Sequence, residues 1–229
     1  MKTFLRKNLF EIIFIPVMLA SLITSAIFFH SDLLILFLTI LGMFGSILNG
    51  RGNKLCYFFA LTSTIMYGII SLRANFIGEV ILHFAFLSPM YIYSIIKWFR
   101  PKKNSGNQNK QMFSMKVSGI MTLICVGIVI VGVYGVILMF LAKSSFPFLN
   151  AASTVVVLLA AYLGAKRVKQ QWFAHILGNA ILIALWLLSG DKGNYPILIQ
   201  NALFVVCNVR GIIIWQKESK KDKPIEPKD

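Results

Sequence analysis

Three side chains are out of character in the apolar stretch Gln170–Leu188, QQWFAHILGNAILIALWLL: Trp172, His175 and Asn179. They stand at i, i+3 and i+7. At 3.6 residues per turn they share one face of a helix, and Trp186 extends the same stripe. An imidazole and a carboxamide are costly against lipid, so this face should look into the protein or a water-filled cavity. A flat indole beside two hydrogen-bonding groups suits a ligand that is part aromatic and part polar. The same polar groups would equally serve to bond helix to helix.

Further candidates lie on other apolar runs. Gln200, Asn201 and Asn208 carry amide groups that both donate and accept; Asn201 and Asn208 share a face at i, i+7, with Gln200 one residue to the side. Thr64 and Tyr67 stand on a second stripe and are the expected partners of Asn179. Glu79 and His83 are an i, i+4 pair with three readings: a structural ion pair, recognition of ribose hydroxyls, or a metal site shared with His175. Zinc needs three or four ligands at fixed geometry, and only scattered ones are present, so no metal is expected. Ser88-Pro89 should kink its span and act as a hinge, because proline removes a backbone donor. There is no Walker loop, no Ser-His-Asp order and no HExxH, so neither an enzyme nor a bound cofactor is expected.

These residues need a membrane to position them. The chain has 229 residues, 57% of them hydrophobic, and a mean hydropathy of +0.75. A soluble domain is nearer ~45–50% apolar. The formal charge of +15 would suggest nucleic acid in a soluble protein. Here the basic residues flank apolar segments and report topology, so nucleic-acid binding is not expected. Cys56, Cys125 and Cys207 fall in three different apolar runs with no paired spacing, which disfavours disulfides and zinc knuckles.

Hydropathy predicts eight spans: Leu9–Phe29, Leu33–Asn49, Leu55–Leu72, Phe76–Trp98, Lys116–Leu141, Phe148–Ala165, Gln170–Leu188 and Tyr195–Trp215. The first follows Lys2, Arg6 and Lys7. It is longer than a signal-peptide core and lacks an A-x-A site, so it reads as an anchor. With the N-terminus inside, the outside turns hold only Arg73, Lys143 and Lys192, while most other Lys and Arg residues fall inside. That alternation obeys the positive-inside rule and puts both termini in the cytoplasm. Pro101–Gln111, PKKNSGNQNKQ, reads as a mobile cytoplasmic linker. The tail from Lys217 reads as a solvated charged end; its acidic residues weaken the alternative of contact with anionic lipid.

The chain also repeats itself. Tyr91–Trp98, YIYSIIKW, parallels Asn208–Trp215, NVRGIIIW, and Lys54–Tyr57 parallels Lys169–Trp172. The stripe Tyr57, Ala60, Thr64 then matches Trp172, His175, Asn179. Spans 33–98 therefore resemble spans 148–215, and the lone span 116–141 restores the orientation of the second triplet. This is a parallel repeat about an axis along the membrane normal, as in transporters of the SWEET type. The predicted fold class is all-α: an N-terminal anchor helix (1–30), a first three-helix repeat (31–100), a linker (101–115), a connecting helix (116–142), a second repeat (143–216) and a charged tail (217–229).

With these motifs in place, the sequence resembles the PnuC family, bacterial importers of nicotinamide riboside and related vitamins. The family's Trp-x-x-Trp-x-x-x-Asn is matched by Trp172, His175 and Asn179, with His175 in place of the second Trp. Ile92-Tyr93 with Trp98, and Gly211 with Trp215, match the span-ending patterns. A family Gln in the third core span has His83 as its nearest counterpart here, while Gln200 holds the equivalent place in the second half. The resemblance implies a multi-pass protein of the bacterial cytoplasmic membrane, surrounded by lipid, associating as a homotrimer. It implies import of nicotinamide riboside, thiamine, riboflavin or a (deoxy)nucleoside, trapped afterwards by a separate cytosolic enzyme. No Asp/Glu relay crosses the core, which favours uniport by alternating access. A non-transporting membrane scaffold or sensor is the alternative.

Overall fold

A chain that spans lipid must satisfy every backbone N–H and C=O internally, and apolar runs of this length do so as helices. The computed structural model describes residues 2–50, 53–99, 114–165 and 168–221. Among these the protein is all-helical, with no β-strand. The helices are α1 (Lys2–Phe28), α2 (Leu33–Gly50), α3 (Cys56–Arg73), α4 (Ile77–Ile81), α5 (Ser88–Phe99), α6 (Val117–Phe140), α7 (Pro147–Ala165), α8 (Gln171–Leu188) and α9 (Tyr195–Lys221). Among the described residues, seven helical rods are long and apolar enough to cross a membrane; α2 is apolar but shorter. Most of the linker Pro101–Gln111 and the tail beyond Lys221 lie outside the described residues.

Two boundaries depart from the hydropathy reading. The last helix continues past Trp215 to Lys221, because Gln, Lys and Glu extend a helix readily although they are too polar to be counted in a span. The predicted span Phe76–Trp98 is one rod in three parts: α4, a π-helical turn at Leu82–Leu87, and α5. Pro89 has no N–H to offer the preceding turn. The ladder widens there instead, and the backbone N–H and the hydroxyl of Ser88 both donate to the His83 carbonyl.

α2 packs on α3, and α3 on α4 and α5; in parallel, α7 packs on α8 and α8 on α9. The two groups meet where α2 touches α9 and α4 touches α7, while α6 lies against α7 and α1 against α2 and α9. Two turns at one end close in the left-handed region. His30 (φ 50°) follows α1 and Asn75 (φ 57°) follows α3. At each, the next residue's N–H reaches back five residues, from Ser31 to Ala26 and from Phe76 to Ser71. The Asn75 side chain then donates to the Lys143 carbonyl at 2.9 Å, tying this turn to the α6–α7 turn.

At that same end the helices converge on a tight apolar cluster of Ile35, Leu38, Tyr67, Ile70, Phe76, Leu182, Leu185, Trp186 and Ile197. Trp186 and Phe76 are completely buried, with ring centroids 4.9 Å apart and planes at 69°, the edge-to-face arrangement that aromatic quadrupoles favour.

Candidate functional site

Beneath the apolar cluster lies a cavity of about 240 Å³, somewhat below the ~300–1,000 Å³ usual for small-molecule sites. α2, α3, the π-helical turn and α5 wall one side; α7, α8 and α9 wall the other. It runs from Leu38, Tyr67 and Leu182, the members of the cluster that face it, to Asn49, Tyr57, Trp172 and Asn208 at the opposite end of the bundle.

The α8 stripe enters this cavity as the 3.6-residue spacing requires. Trp172, His175 and Asn179 all line it, with the rings of Trp172 and His175 6.4 Å apart. Among the described residues, the Asn179 carboxamide lines the cavity without a protein hydrogen bond. Trp172 is placed by its neighbour on α9: a Cβ built on Gly211 would stand 2.5–2.7 Å from three atoms of the indole. The glycine is the notch in which the ring lies. Trp186 shares the helix face but lies at the other end of it, inside the apolar cluster and not among the lining residues.

Gln200, Asn201 and Asn208 from α9, and Thr64 and Tyr67 from α3, line the same space. Two of the amides also have structural duties. The Gln200 amide donates to the Thr39 carbonyl of α2 at 3.1 Å. Asn201 donates back to the Ile197 carbonyl at 2.8 Å. Each keeps its carbonyl oxygen for another partner. Tyr67 closes the top of the cavity: its hydroxyl accepts a 2.6 Å hydrogen bond from the Trp186 indole, crossing from α3 to α8.

Glu79 and His83 separate. His83 lines the cavity with its ring stacked on Tyr67 at 4.4 Å. Glu79 is fully buried and is not among the lining residues. It sits behind His83, with Oε2 3.5 Å from the imidazole Nε2 and Oε1 accepting from the Ser153 hydroxyl of α7. The Glu79 backbone N–H donates to Asn150 Oδ1 at 3.2 Å, and the Asn150 amide donates to Ser144 at 2.8 Å. Pro89 is exposed and is not among the lining residues, although Leu87 and Tyr91 on either side of it are. Among the described residues, no group of three or more His, Cys, Asp or Glu is gathered as for a metal ion.

Several lining residues escaped the sequence reading: Ser46, Asn49, Ser63 and Tyr91. Tyr91 opens the repeated motif YIYSIIKW and Asn49 closes α2, so both carried a signal. Ser46 and Ser63 carried none, since small polar residues are common in membrane helices. The brace of Asn150 and Ser153 behind Glu79 became visible only when α7 packed on α4.

No lysine or arginine lines the cavity among the described residues. A phosphate is held by arginine forks, lysines or helix N-termini aimed at it. The arrangement therefore suits a ligand without phosphate: an aromatic ring for Trp172, and hydroxyl or amide groups for Asn179, Gln200, Asn201, Asn208 and Thr64.

Residues 32–217 match the family model described as the nicotinamide mononucleotide transporter. A nicotinamide riboside transporter PnuC from Neisseria mucosa is 24% identical over 178 residues, spanning 75% of this chain and 67% of that protein. A crystal structure of the vitamin B3 transporter PnuC superposes with a TM-score of 0.77 at 23% identity, covering 93% of each chain. At that identity the likeness establishes a common fold.

Proposed function

This chain belongs to the nicotinamide mononucleotide transporter family, a family of multi-pass membrane transporters, and from that premise we propose that it carries a vitamin-type riboside by facilitated diffusion. Nicotinamide riboside is the first candidate. The observation that carries this reading is the cavity itself, with an indole at one end, amide groups along its walls and, among the described residues, no lysine or arginine to hold a phosphate. That last feature favours a riboside over a mononucleotide. His175, standing where the family has its second Trp, tunes the choice among nicotinamide riboside, thiamine, riboflavin and nucleosides.

The proposed architecture is eight spans, α4 and α5 counting as one, arranged as two parallel three-helix repeats joined by α6. The matching order of neighbours in the two groups, α2–α3–α5 and α7–α8–α9, supports it. Both termini lie in the cytoplasm of a bacterial cell membrane, and the protein assembles as a homotrimer. α6, exposed along most of its length with apolar side chains all round, suits contact with lipid. In this orientation the Trp186–Tyr67–Phe76 cluster closes the outer side and the cavity reaches toward the cytoplasm. Alternating access then means breaking that seal and closing below Trp172, with the π-helical turn before Pro89 as the hinge.

With Cys56, Cys125 and Cys207 replaced by serine, single cysteines at Lys143 and Lys192 should react with an impermeant thiol reagent on intact cells. A cysteine at Asn53 should react only after permeabilisation. Labelling of Asn53→Cys from outside overturns the topology. Transport itself is tested in vesicles: uptake of labelled nicotinamide riboside should persist under an uncoupler and level off at equal concentrations. Accumulation beyond that level which the uncoupler abolishes would replace facilitated diffusion with ion-coupled transport.

Gly211→Ala gives a further expectation. The added methyl occupies the place of the rigid Trp172 ring, so the indole must move off its seat. Loss of one aromatic stacking partner, worth about 1 kcal/mol, corresponds to roughly 5-fold in affinity. Titration of the purified variant should show that loss with an unchanged elution profile, and Trp172→Ala should show the same loss.

A further inference from the structure

At the end of the bundle closed by Trp186, the two groups of helices meet at two joints, and the joints are unequal. One ties the α3–α4 turn to the α6–α7 turn. The Asn75 side chain donates to the Lys143 carbonyl, while the Ser144 hydroxyl and the Ser145 N–H donate to the Asn75 carbonyl at 3.0 and 3.2 Å. The Ser144 oxygen accepts in turn from the Ile77 N–H and the Asn150 amide, so the hydroxyl is saturated. The other joint brings the α1–α2 turn to the α8–α9 turn. There the Ser31 hydroxyl donates to the Gly193 carbonyl at 2.6 Å, and the rings of Phe29 and Tyr195 meet edge to face at 4.8 Å. No other hydrogen bond links these two turns among the described residues.

Beside the weaker joint lies a second cavity of about 280 Å³, slightly larger than the first. Asp32 lines it from the turn before α2, Arg73 and Ala74 from the end of α3, and Asp191 and Asn194 from the turn before α9. Its floor is Ile35 and Ile70, both members of the apolar cluster. On α2, Ile35 faces this cavity and Leu38, one turn on, faces the inner one; on α3 the same holds for Ile70 and Tyr67. Three residues are about 4.5 Å of helix. The two cavities are one turn of seal apart.

Two carboxylates line the second cavity against one guanidinium. Arg73 donates to Asp32 at 2.8 Å. Asp191 accepts from the Gly193 N–H and the Asn194 amide, and has no cationic partner among the described residues. Lys143 and Lys192 are exposed on the same end but do not line the cavity. An excess negative charge in a water-filled mouth attracts a cation and repels an anion.

We propose that this second cavity is the entrance vestibule of the transport path: a positively charged riboside docks there first and reaches the inner cavity when the Ser31–Gly193 joint parts, while the Asn75–Ser144 joint holds. The proposal rests on the inner cavity being the substrate site and on the orientation given above. It adds selection by charge at the mouth, a cationic riboside being preferred over its uncharged counterpart.

The test uses the cysteine-free background. Ala74→Cys puts a thiol on the vestibule wall, and Lys143→Cys puts one at the other joint. After reaction with a bulky impermeant maleimide from outside, uptake of nicotinamide riboside by Ala74→Cys vesicles should fall to the level of vesicles without the protein. Labelled Lys143→Cys should transport as before. The purified, labelled Ala74→Cys chain should still bind nicotinamide riboside, because the inner cavity reaches the opposite end of the bundle. Asp191→Asn keeps an oxygen for the Gly193 N–H and removes only the charge. It should raise the concentration for half-maximal uptake of nicotinamide riboside roughly 5-fold, the worth of one unit charge about 4 Å away in water. Uptake of the uncharged 1,4-dihydro form should change far less. Asp32→Asn should act in the same direction and serves if the Asp191 variant fails to fold.

Normal uptake by fully labelled Ala74→Cys overturns the vestibule, and so does an equal loss in labelled Lys143→Cys. Loss of binding along with uptake would make the two cavities one site and overturns it too, as does an equal response of the charged and uncharged forms to both Asn variants. Trp172→Ala reports separately on the inner cavity. If it binds nicotinamide riboside as tightly as the unaltered chain, the substrate site is elsewhere, and that failure is read without the labelling.

Discussion

Asn179→Leu should bind nicotinamide riboside roughly 5- to 150-fold more weakly while folding and inserting normally. The carboxamide lines the cavity with no protein partner among the described residues, so its donors and acceptor are free for a ligand. Replacing it with leucine leaves a polar group of the ligand buried and unpaired, at about 1–3 kcal/mol, which at 1.4 kcal/mol per decade gives the range stated. Leucine is favourable in a membrane span, so insertion should not suffer. Titration of the detergent-purified variant, with its elution profile as the control for folding, checks both halves. A variant that folds and binds normally, or one that fails to fold, would make Asn179 an interhelical bond and not a binding group.

The second large effect is expected at the opposite end of the cavity. Trp186→Ala should make the cavity accessible from outside. The indole is completely buried against Phe76 and bonded to Tyr67, and burying a large aromatic side chain is typically worth about 3–5 kcal/mol over alanine in a packed core. In the proposed orientation these contacts belong to the outward-closed state. Even half of that value, about 2 kcal/mol, would shift the balance between states roughly 30-fold. In the cysteine-free background, Ser63→Cys on the cavity wall should then react with an impermeant reagent from outside at least about 10-fold faster than with Trp186 present. Tyr67→Phe, which removes one hydrogen bond of about 1 kcal/mol, should give a smaller increase in the same direction. No change in Ser63→Cys reactivity in either variant would mean that this cluster is not the outer closure.

The contrast between Asn179 and Trp186 shows what the sequence could reveal. Period 3.6 places both on one face of α8, together with Trp172 and His175, and the structure agrees on the face. Depth along the helix is another matter. Seven residues separate Asn179 from Trp186, about 10 Å at 1.5 Å per residue. That distance takes the stripe out of the cavity and into the seal, because Tyr67 and Phe76 stand opposite. No periodicity encodes what stands opposite.

Glu79 and His83 divide in the same way. Their i, i+4 spacing announced a pair, but their unequal burial comes from Ser153 and Asn150 of α7, some seventy residues away in the chain. Pro89 drew attention to the right turn of the right helix, while the π-helical widening at Leu82–Leu87 lies on its N-terminal side. There the Ser88 hydroxyl and N–H take up the His83 carbonyl. Gln200 shows that the two expected uses of a buried amide need not exclude one another. Its nitrogen bonds α2 while its side chain still lines the cavity.

Where the substrate sits is tested most directly by an experimental density map of the chain with nicotinamide riboside bound. The expected result is ligand density between α3 and α8, with the ring beside Trp172 and polar groups within hydrogen-bond reach of Asn179. Density confined instead to the separate cavity among Asp32, Arg73 and Asp191, above the Trp186 seal, or to the lipid-facing surface, would contradict it.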